Sequence, residues 1–185
     1  MQRGKGYVIL FSVCLLISFT KLVHAEQNNH PNKVVKEYFQ AIDNQNWNAI
    51  PNMWVKHEDL LGFIQNKQNQ IDKNGFFGIQ KANVKYLKEV PYSYASQYLP
   101  TRYIEKFKNP RVFYVGADYK VYKENAFQLN GVNYFFITTV LEDGKWKIVT
   151  QTLPPINSII EDGYGFGTAD EKTFDKRRMK FLNRR

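Results

Sequence analysis

The chain has 185 residues, of which 43% are hydrophobic and 16% aromatic, and its formal net charge is +9. This length suits one domain, and the positive charge favours anionic partners such as wall polymers or lipid headgroups, with simple solubility as the alternative. The single cysteine, Cys14, excludes an intrachain disulfide framework.

The first 25 residues have the pattern of a secretory signal peptide. Two basic residues precede an apolar run over 7–19, and Val23-His24-Ala25 fits the small-x-small rule for cleavage. We therefore expect cleavage after Ala25 and a secreted or extracytoplasmic protein without a cysteine. A membrane span needs about 20 apolar residues, so an uncleaved membrane anchor is the less favoured alternative.

Short helices are predicted at the start of the remaining chain. Pro31 suits the first position of a helix, and one apolar stripe follows at helical spacing. Its members are Val34, Val35, Tyr38, Phe39 and Ile42. The amides at 44–46 interrupt this helix, a short helix resumes over 47–54, and a third one begins at Glu58 and Asp59, where negative charge favours a helix start.

A strand is predicted over 76–90, where aromatic, β-branched and lysine residues are mixed after the Asn74-Gly75 turn. The segment 91–109 is open to three interpretations: an edge strand, a loop or a lid. Pro100 argues against a central strand there, because proline cannot donate to a ladder of hydrogen bonds.

Three strands joined by two turns are predicted between Arg111 and Pro155. Asp143-Gly144 and Asn130-Gly131 are dipeptides that accept positive φ at both central positions of a type I′ turn. A turn at Asp143-Gly144 pairs Leu141 with Trp146, Thr139 with Ile148 and Ile137 with Thr150, which makes one face apolar. The opposite face is expected to be partly exposed to solvent or partly covered by other elements.

The same strict register across Asn130-Gly131 places Glu124 opposite Ile137 on the core face. Either a bulge intervenes, or Glu124 lies at a functional opening.

The chain after Pro155 is predicted to be a glycine and aromatic linker followed by a basic helix. Thr168 and Glu171 form a capping-box pattern at the start of that helix. The predicted organisation is a signal peptide over 1–25, an α+β domain over 26–155, and the linker and C-terminal helix over 156–185.

The front helix with Val-Val-x-x-Tyr-Phe-x-x-Ile, the short helix containing Trp47, and the closing hairpin around Asp143-Gly144-Lys145-Trp146 together resemble the NTF2-like, cystatin-like cone domains. The resemblance covers about 31–155. It implies N-terminal helices packed on a curved antiparallel sheet, around a pocket that serves catalysis in some members and binding or assembly in others.

Two sets of residues are candidates for a pocket. An enzyme of this architecture needs a titratable group in the cone, and Asp118 with Tyr114 is the candidate acid and base pair, unless Asp118 points outward. Several aromatic side chains could line a ligand pocket, although aromatic residues at regular spacing are usually core. These are Tyr38, Trp54, Phe135 and Trp146.

The C-terminal helix offers a different class of function. Its cations could lie on an anionic wall polymer or membrane with Phe174, Phe181 and Leu182 inserted, or the helix could dock on its own domain. The cations are Lys172, Lys176, Arg177, Arg178 and Lys180. Neither a metal site nor a cofactor motif is predicted, and no nucleic-acid-binding motif is present.

The leading hypothesis is a secreted, non-catalytic binding or accessory protein of the cell envelope. Another envelope protein, or a second copy paired through the sheet, is an alternative partner. The runner-up is a small pocket enzyme, of the isomerase or hydrolase type, that uses Asp118 and a tyrosine.

Overall fold

The computed structural model describes residues 30–56 and 58–182, so the predicted signal peptide and His57 lie outside the described residues. The fold is α+β, with one antiparallel sheet and helices on both of its faces. The helices are α1 (Pro31–Asp43), α2 (Glu58–Gln65), α3 (Lys67–Ile71), α4 (Tyr92–Ala95), α5 (Ile156–Glu161) and α6 (Ala169–Leu182). The strands are β1 (Ile79–Val90), β2 (Arg111–Val121), β3 (Gly131–Glu142) and β4 (Lys145–Thr152). Short 3₁₀ turns span Trp47–Met53, Gly75–Gly78, Ser96–Tyr98 and Thr101–Tyr103.

The four strands form a meander in the order β1-β2-β3-β4, all antiparallel. The predicted strand before the meander is confirmed over Ile79–Val90. The turn between β3 and β4 is also confirmed: Asp143 and Gly144 have φ of 49° and 73°, and Leu141 pairs with Trp146. A dipeptide that accepts positive φ at both positions therefore set this hairpin locally.

The hairpin between β2 and β3 differs from the two-residue turn that we predicted. Tyr119 pairs with Gly131, so the connection is the longer stretch from Tyr122 to Asn130, and Ile137 lies opposite Phe113 instead of Glu124. The Asn130 side chain accepts a hydrogen bond from the Val121 amide at 3.0 Å, which closes the end of the ladder. Glu124 accepts from the Asn130 amide at 2.8 Å and belongs to the loop.

A bulge in β4 shifts the predicted register by one residue. Thr139 pairs with Ile148 as predicted, but Thr138 then pairs with Thr150 and Ile137 with Gln151. An extra residue in one strand moves the following side chains to the other face. Gln151 therefore lies on the α1 side, where its Oε1 accepts from the Tyr38 hydroxyl at 3.0 Å.

Helix α1 covers one face of the sheet with the predicted apolar stripe. Val35, Phe39 and Ile42 are fully buried against strand residues such as Phe113 and Ile137. The helix begins at Pro31 and ends at Asp43, as the sequence predicts. A second contact anchors its end, because the Asp43 carboxylate accepts from the Ala82 amide of edge strand β1 at 3.0 Å.

The centre of the opposite face of the sheet is covered, although the sequence left open whether this face is partly exposed to solvent or partly covered. Tyr114, Tyr134, Phe136 and Val140 of this face have no solvent-accessible surface. They pack beneath the segment 92–107 and the C-terminal segment 153–181. The segment 91–109 is thus a helical and 3₁₀ cover, and the chain after Pro155 is the second layer on this face.

No described helix combines the length and the apolar composition required to cross a lipid bilayer.

Candidate functional site

A buried carboxylate joins the C-terminal helix to the sheet. Thr168 Oγ1 accepts from the Glu171 amide at 3.2 Å, which is half of the predicted capping box. The Glu171 side chain does not return to Thr168 and has no solvent-accessible surface. It accepts hydrogen bonds from the Tyr114 hydroxyl at 2.8 Å, the Gly167 amide at 2.8 Å and the Phe166 amide at 2.9 Å.

Aromatic rings close the space around this carboxylate. Phe166 stacks on Tyr114 with ring centroids 4.7 Å apart, and the Lys88 ammonium donates to the carbonyls of Tyr164 and Gly165 at 3.0 Å. Burial and the neighbouring carboxylate raise the pKa of Tyr114 far above its usual value. The predicted linker is therefore docked on the sheet, and the Tyr114 and Glu171 pair holds the fold together.

The structure does not bring the candidate pair Asp118 and Tyr114 together. Both side chains are on the face covered by the C-terminal segment, but they are four positions apart along the strand, a distance of about 13 Å. Asp118 is half-buried at the edge of the core and forms an ion pair with Lys85 at 3.7 Å. Tyr114 is sealed against Glu171, so the acid and base pair of the runner-up hypothesis is not formed.

Three of the four predicted pocket residues lie in the packed core under α1. The rings of Tyr38 and Trp54 make an edge contact at 5.8 Å, and Phe135 packs on Phe39 at 6.3 Å. Neighbouring side chains pack against these rings, as expected if these aromatic residues belong to the core. Trp146 is different, because it packs on the edge of this core and also lines the molecular surface.

An open groove of about 590 Å³ lies beside Trp146, where β2 begins and β3 ends. Its apolar lining is formed by Trp146, Leu141 and Phe107. Its cationic lining is Lys106, Lys108 and Arg111, and no carboxylate lines it. Glu89 binds the Arg111 guanidinium from outside the groove, whereas none of the described carboxylates pairs with Lys106 or Lys108.

A second groove of about 210 Å³ lies against the same tryptophan. It includes His30, Lys33, Lys145 and Lys147 together with one carboxylate, Glu37, which pairs with Lys33 at 3.7 Å. Trp146 thus lines both of these basic grooves. Together they form what we call the Trp146 site.

The cations predicted to bind an anionic surface divide into two groups. Arg177 donates to the carbonyls of Asn130 and Val132, and Arg178 donates to the Ala126 carbonyl and to Asp175, so both guanidinium groups hold the loop before β3. The lysines at i, i+4 and i+8 of α6 are exposed and form one stripe. They are Lys172, Lys176 and Lys180.

The apolar partners proposed for this helix are also placed differently. Phe174 has no solvent-accessible surface and Phe181 packs partly against the core of the second face, whereas Leu182 is exposed. Phe174 therefore docks α6 on its own domain and cannot insert elsewhere without undocking the helix.

Sequence reasoning missed the Lys106, Lys108 and Arg111 side of the Trp146 site. The signal was present in Lys106-Phe107-Lys108, a basic and aromatic alternation just before a strand. The residues 106–111 and Trp146 are far apart in the chain, so only the sheet register brings them together. Across residues 30–56 and 58–182, no group of three or more His, Cys, Asp or Glu side chains could hold a metal ion.

Comparison of the chain with protein-family models, with curated proteins and with solved structures found no match.

Proposed function

We propose that the protein is an exported, non-catalytic binding protein of the cell envelope, and that its ligand is an anionic glycopolymer held at the Trp146 site. The observation that carries this proposal is the open groove of about 590 Å³ that has an aromatic floor, three cations and no carboxylate in its lining. Concave sites with a few convergent polar groups are the usual places for ligands.

The lining supports a ligand with both ring and anionic groups. Trp146 is partly buried and contributes an apolar, aromatic surface to the groove, which suits the apolar side of a sugar ring. Lys106 and Lys108 supply charges that no described carboxylate neutralises, and they suit phosphate or carboxylate groups.

A polymer fits better than a single small anion. The two grooves share Trp146 as a lining residue, and each is also lined by cations. An extended chain can occupy both grooves at once, and the second contact then forms at high effective concentration.

The enzyme alternative has less support. Its acid and base are about 13 Å apart along β2, and each is engaged by another group. General acid and base catalysis needs groups within hydrogen-bonding reach of the same reacting atoms.

We also propose that the chain has an NTF2-like fold and that the protein is exported. A helix packed on a four-stranded antiparallel sheet that ends in the Asp143-Gly144 hairpin supports the family resemblance. The pattern of the first 25 residues supports a signal peptide, and with it the placement of the Trp146 site outside the cytoplasm.

The test is titration calorimetry with a short poly(glycerol phosphate) chain, and with neutral dextran of equal length as the control ligand. We expect binding of the anionic chain only, weakening with salt because the contacts are charged. Trp146→Ala and the double variant Lys106→Ala/Lys108→Ala should each lower the affinity at least tenfold, because each removes a central group of the site.

The matched control is Lys172→Ala/Lys176→Ala, which removes the same charge from α6 and should bind like the parent protein. The proposal is wrong if neither polymer binds. It is equally wrong if the α6 variant loses as much affinity as the Lys106 and Lys108 variant.

A further inference from the structure

The loop between β2 and β3, from Tyr122 to Asn130, exposes two large aromatic side chains, Tyr122 at its start and Phe127 near its middle. The Tyr122 ring lies against the Lys73 ammonium at 5.0 Å. Phe127 is 63% exposed, whereas its apolar neighbours Ala126 and Leu129 are buried. Over 126–129 the loop therefore turns Ala126 and Leu129 inward and Phe127 outward. Exposing an aromatic side chain of this size forgoes burial that would stabilise the fold.

Hydrogen bonds hold the loop in this conformation. The Asn125 side chain accepts from the amides of Phe127 at 2.8 Å and Gln128 at 3.0 Å. The Asn133 amide group brackets Leu129 by bonding to both its N–H and its carbonyl, at 3.0 and 2.7 Å. Phe127 is thus presented on a fixed backbone.

Helix α6 brings further apolar side chains to the same end of the molecule. Arg178 Nε donates to the Ala126 carbonyl at 3.0 Å, which ties the last turns of α6 to the loop. Met179 and Leu182, three residues apart on one side of α6, are both exposed. We call Phe127, Met179 and Leu182 the apolar tip.

The charge around the apolar tip is positive. Lys123 of the loop and Lys176 and Lys180 of α6 are exposed, and no described carboxylate pairs with them. Of the nearby carboxylates, Asp175 pairs with Arg178 at 3.0 Å, and Glu124 accepts from the Asn130 amide and keeps its charge. The three lysines therefore outweigh one negative charge that no described cation pairs with. A small apolar surface ringed by free lysines complements a bilayer with anionic headgroups.

We propose that the apolar tip docks this protein on an anionic lipid bilayer, with Phe127 inserted at the level of the headgroups. This inference rests on the β2–β3 loop and does not depend on the Trp146 site. The two features lie at opposite ends of β2, about 33 Å apart, because the groove lies at Arg111 and the loop follows Val121. Docking by the tip therefore leaves the Trp146 site facing away from the membrane.

The test is co-sedimentation with vesicles made of equal parts phosphatidylglycerol and phosphatidylcholine, and with vesicles of phosphatidylcholine alone. The protein should begin at Glu26, because the apolar run over 7–19 would bind vesicles by itself. Every contact described here lies within residues 30–182, so this shorter chain keeps them all.

We expect binding to the anionic vesicles only, and a loss of about tenfold or more in affinity on Phe127→Ser, since an inserted phenylalanine leaves water. Tyr103→Ser is the matched control, because Tyr103 is also an exposed aromatic residue but lies on the segment before β2, and it should not change binding. Thermal unfolding of both variants confirms that neither disturbs the fold.

A second measurement locates the contact. Phe127→Cys introduces the only cysteine of the chain that begins at Glu26, and a polarity-sensitive dye on it should shift to the blue on vesicle addition. The proposal is overturned if the parent protein does not bind anionic vesicles, or if Phe127→Ser binds them as tightly as the parent protein does. It is also overturned if the dye emission does not shift while the protein is bound. Loss of a parent dimer on Phe127→Ser would also overturn it, since the tip would then be a contact between copies.

Discussion

At the residue scale, Glu171 attaches the C-terminal helix to the sheet. Its carboxylate is buried and accepts from one phenol and two backbone amides. The capping-box pattern identified the residue, but the pattern implies a bond to the backbone of Thr168. The glycine-rich turn before α6 brings the Phe166 and Gly167 amides to this carboxylate instead.

We predict that Glu171→Gln lowers the free energy of unfolding by about 2–4 kcal/mol, because an amide group places an N–H against buried donors and lacks the charge that strengthens these bonds. Urea denaturation measures the loss. Glu161→Gln, an exposed glutamate of the same segment, is the control and should change stability by less than about 0.5 kcal/mol. Equal effects of the two substitutions would contradict the role of Glu171.

At the element scale, the segment after Pro155 is a layer of the fold. Phe174, Ile156 and Ile159 are fully or almost fully buried against the face that carries Tyr134 and Phe136. The bulge in β4 contributes to the opposite layer, since it turns Gln151 toward Tyr38. Each face of the sheet therefore depends on elements from a different end of the chain.

We predict that a chain ending at Pro155 loses cooperative thermal unfolding and aggregates. Each buried Ile or Phe that it lacks contributes about 1.5–3 kcal/mol, and several such losses reach the total stability of a typical domain, about 5–15 kcal/mol. Circular dichroism and size-exclusion chromatography measure this. A chain ending at Leu182, which keeps every described contact, is the control; a monomeric truncated protein with an unchanged melting temperature would show that the segment is separable.

At the scale of the whole molecule, buried tyrosines make stability depend on alkaline pH. Burial raises the pKa of Tyr134 to about 12, and burial raises the pKa values of Tyr38, Tyr114 and Tyr119 still further. The pKa of an unfolded tyrosine is about 10, so above that pH the unfolded chain releases protons that the folded chain retains. The free energy of unfolding therefore falls as pH rises from about 10 towards the folded-state pKa values.

We predict unchanged stability up to about pH 9 and, above pH 10, a loss that approaches 1.4 kcal/mol per pH unit for each of these tyrosines. Absorbance at 295 nm and circular dichroism, followed together in an alkaline titration, should show these tyrosines ionising only as the protein unfolds. Tyr134→Phe should make the decline less steep. Ionisation of all tyrosines near pH 10 without a change in circular dichroism would contradict this.

The sequence predicted the elements whose causes are local. Pro31 and the stripe that includes Val35 and Phe39 specified α1, and Asp143-Gly144 specified the last hairpin, since helical periodicity and positive φ are properties of neighbouring residues. The two-residue turn predicted at Asn130-Gly131 is not formed, because side chains of the loop and of α6 hold a longer connection. Its dipeptide alone did not contain that information.

By itself, the sequence determined an α+β chain whose front helix and closing hairpin build one side of a sheet. Tertiary structure alone decided that the C-terminal segment covers the other side, that Asp118 and Tyr114 remain apart, and that Trp146 meets Lys106 and Lys108 in a groove. The physical reason is that pattern and turn chemistry act over a few residues, whereas burial, strand register and convergence of charge depend on which distant segments pack together.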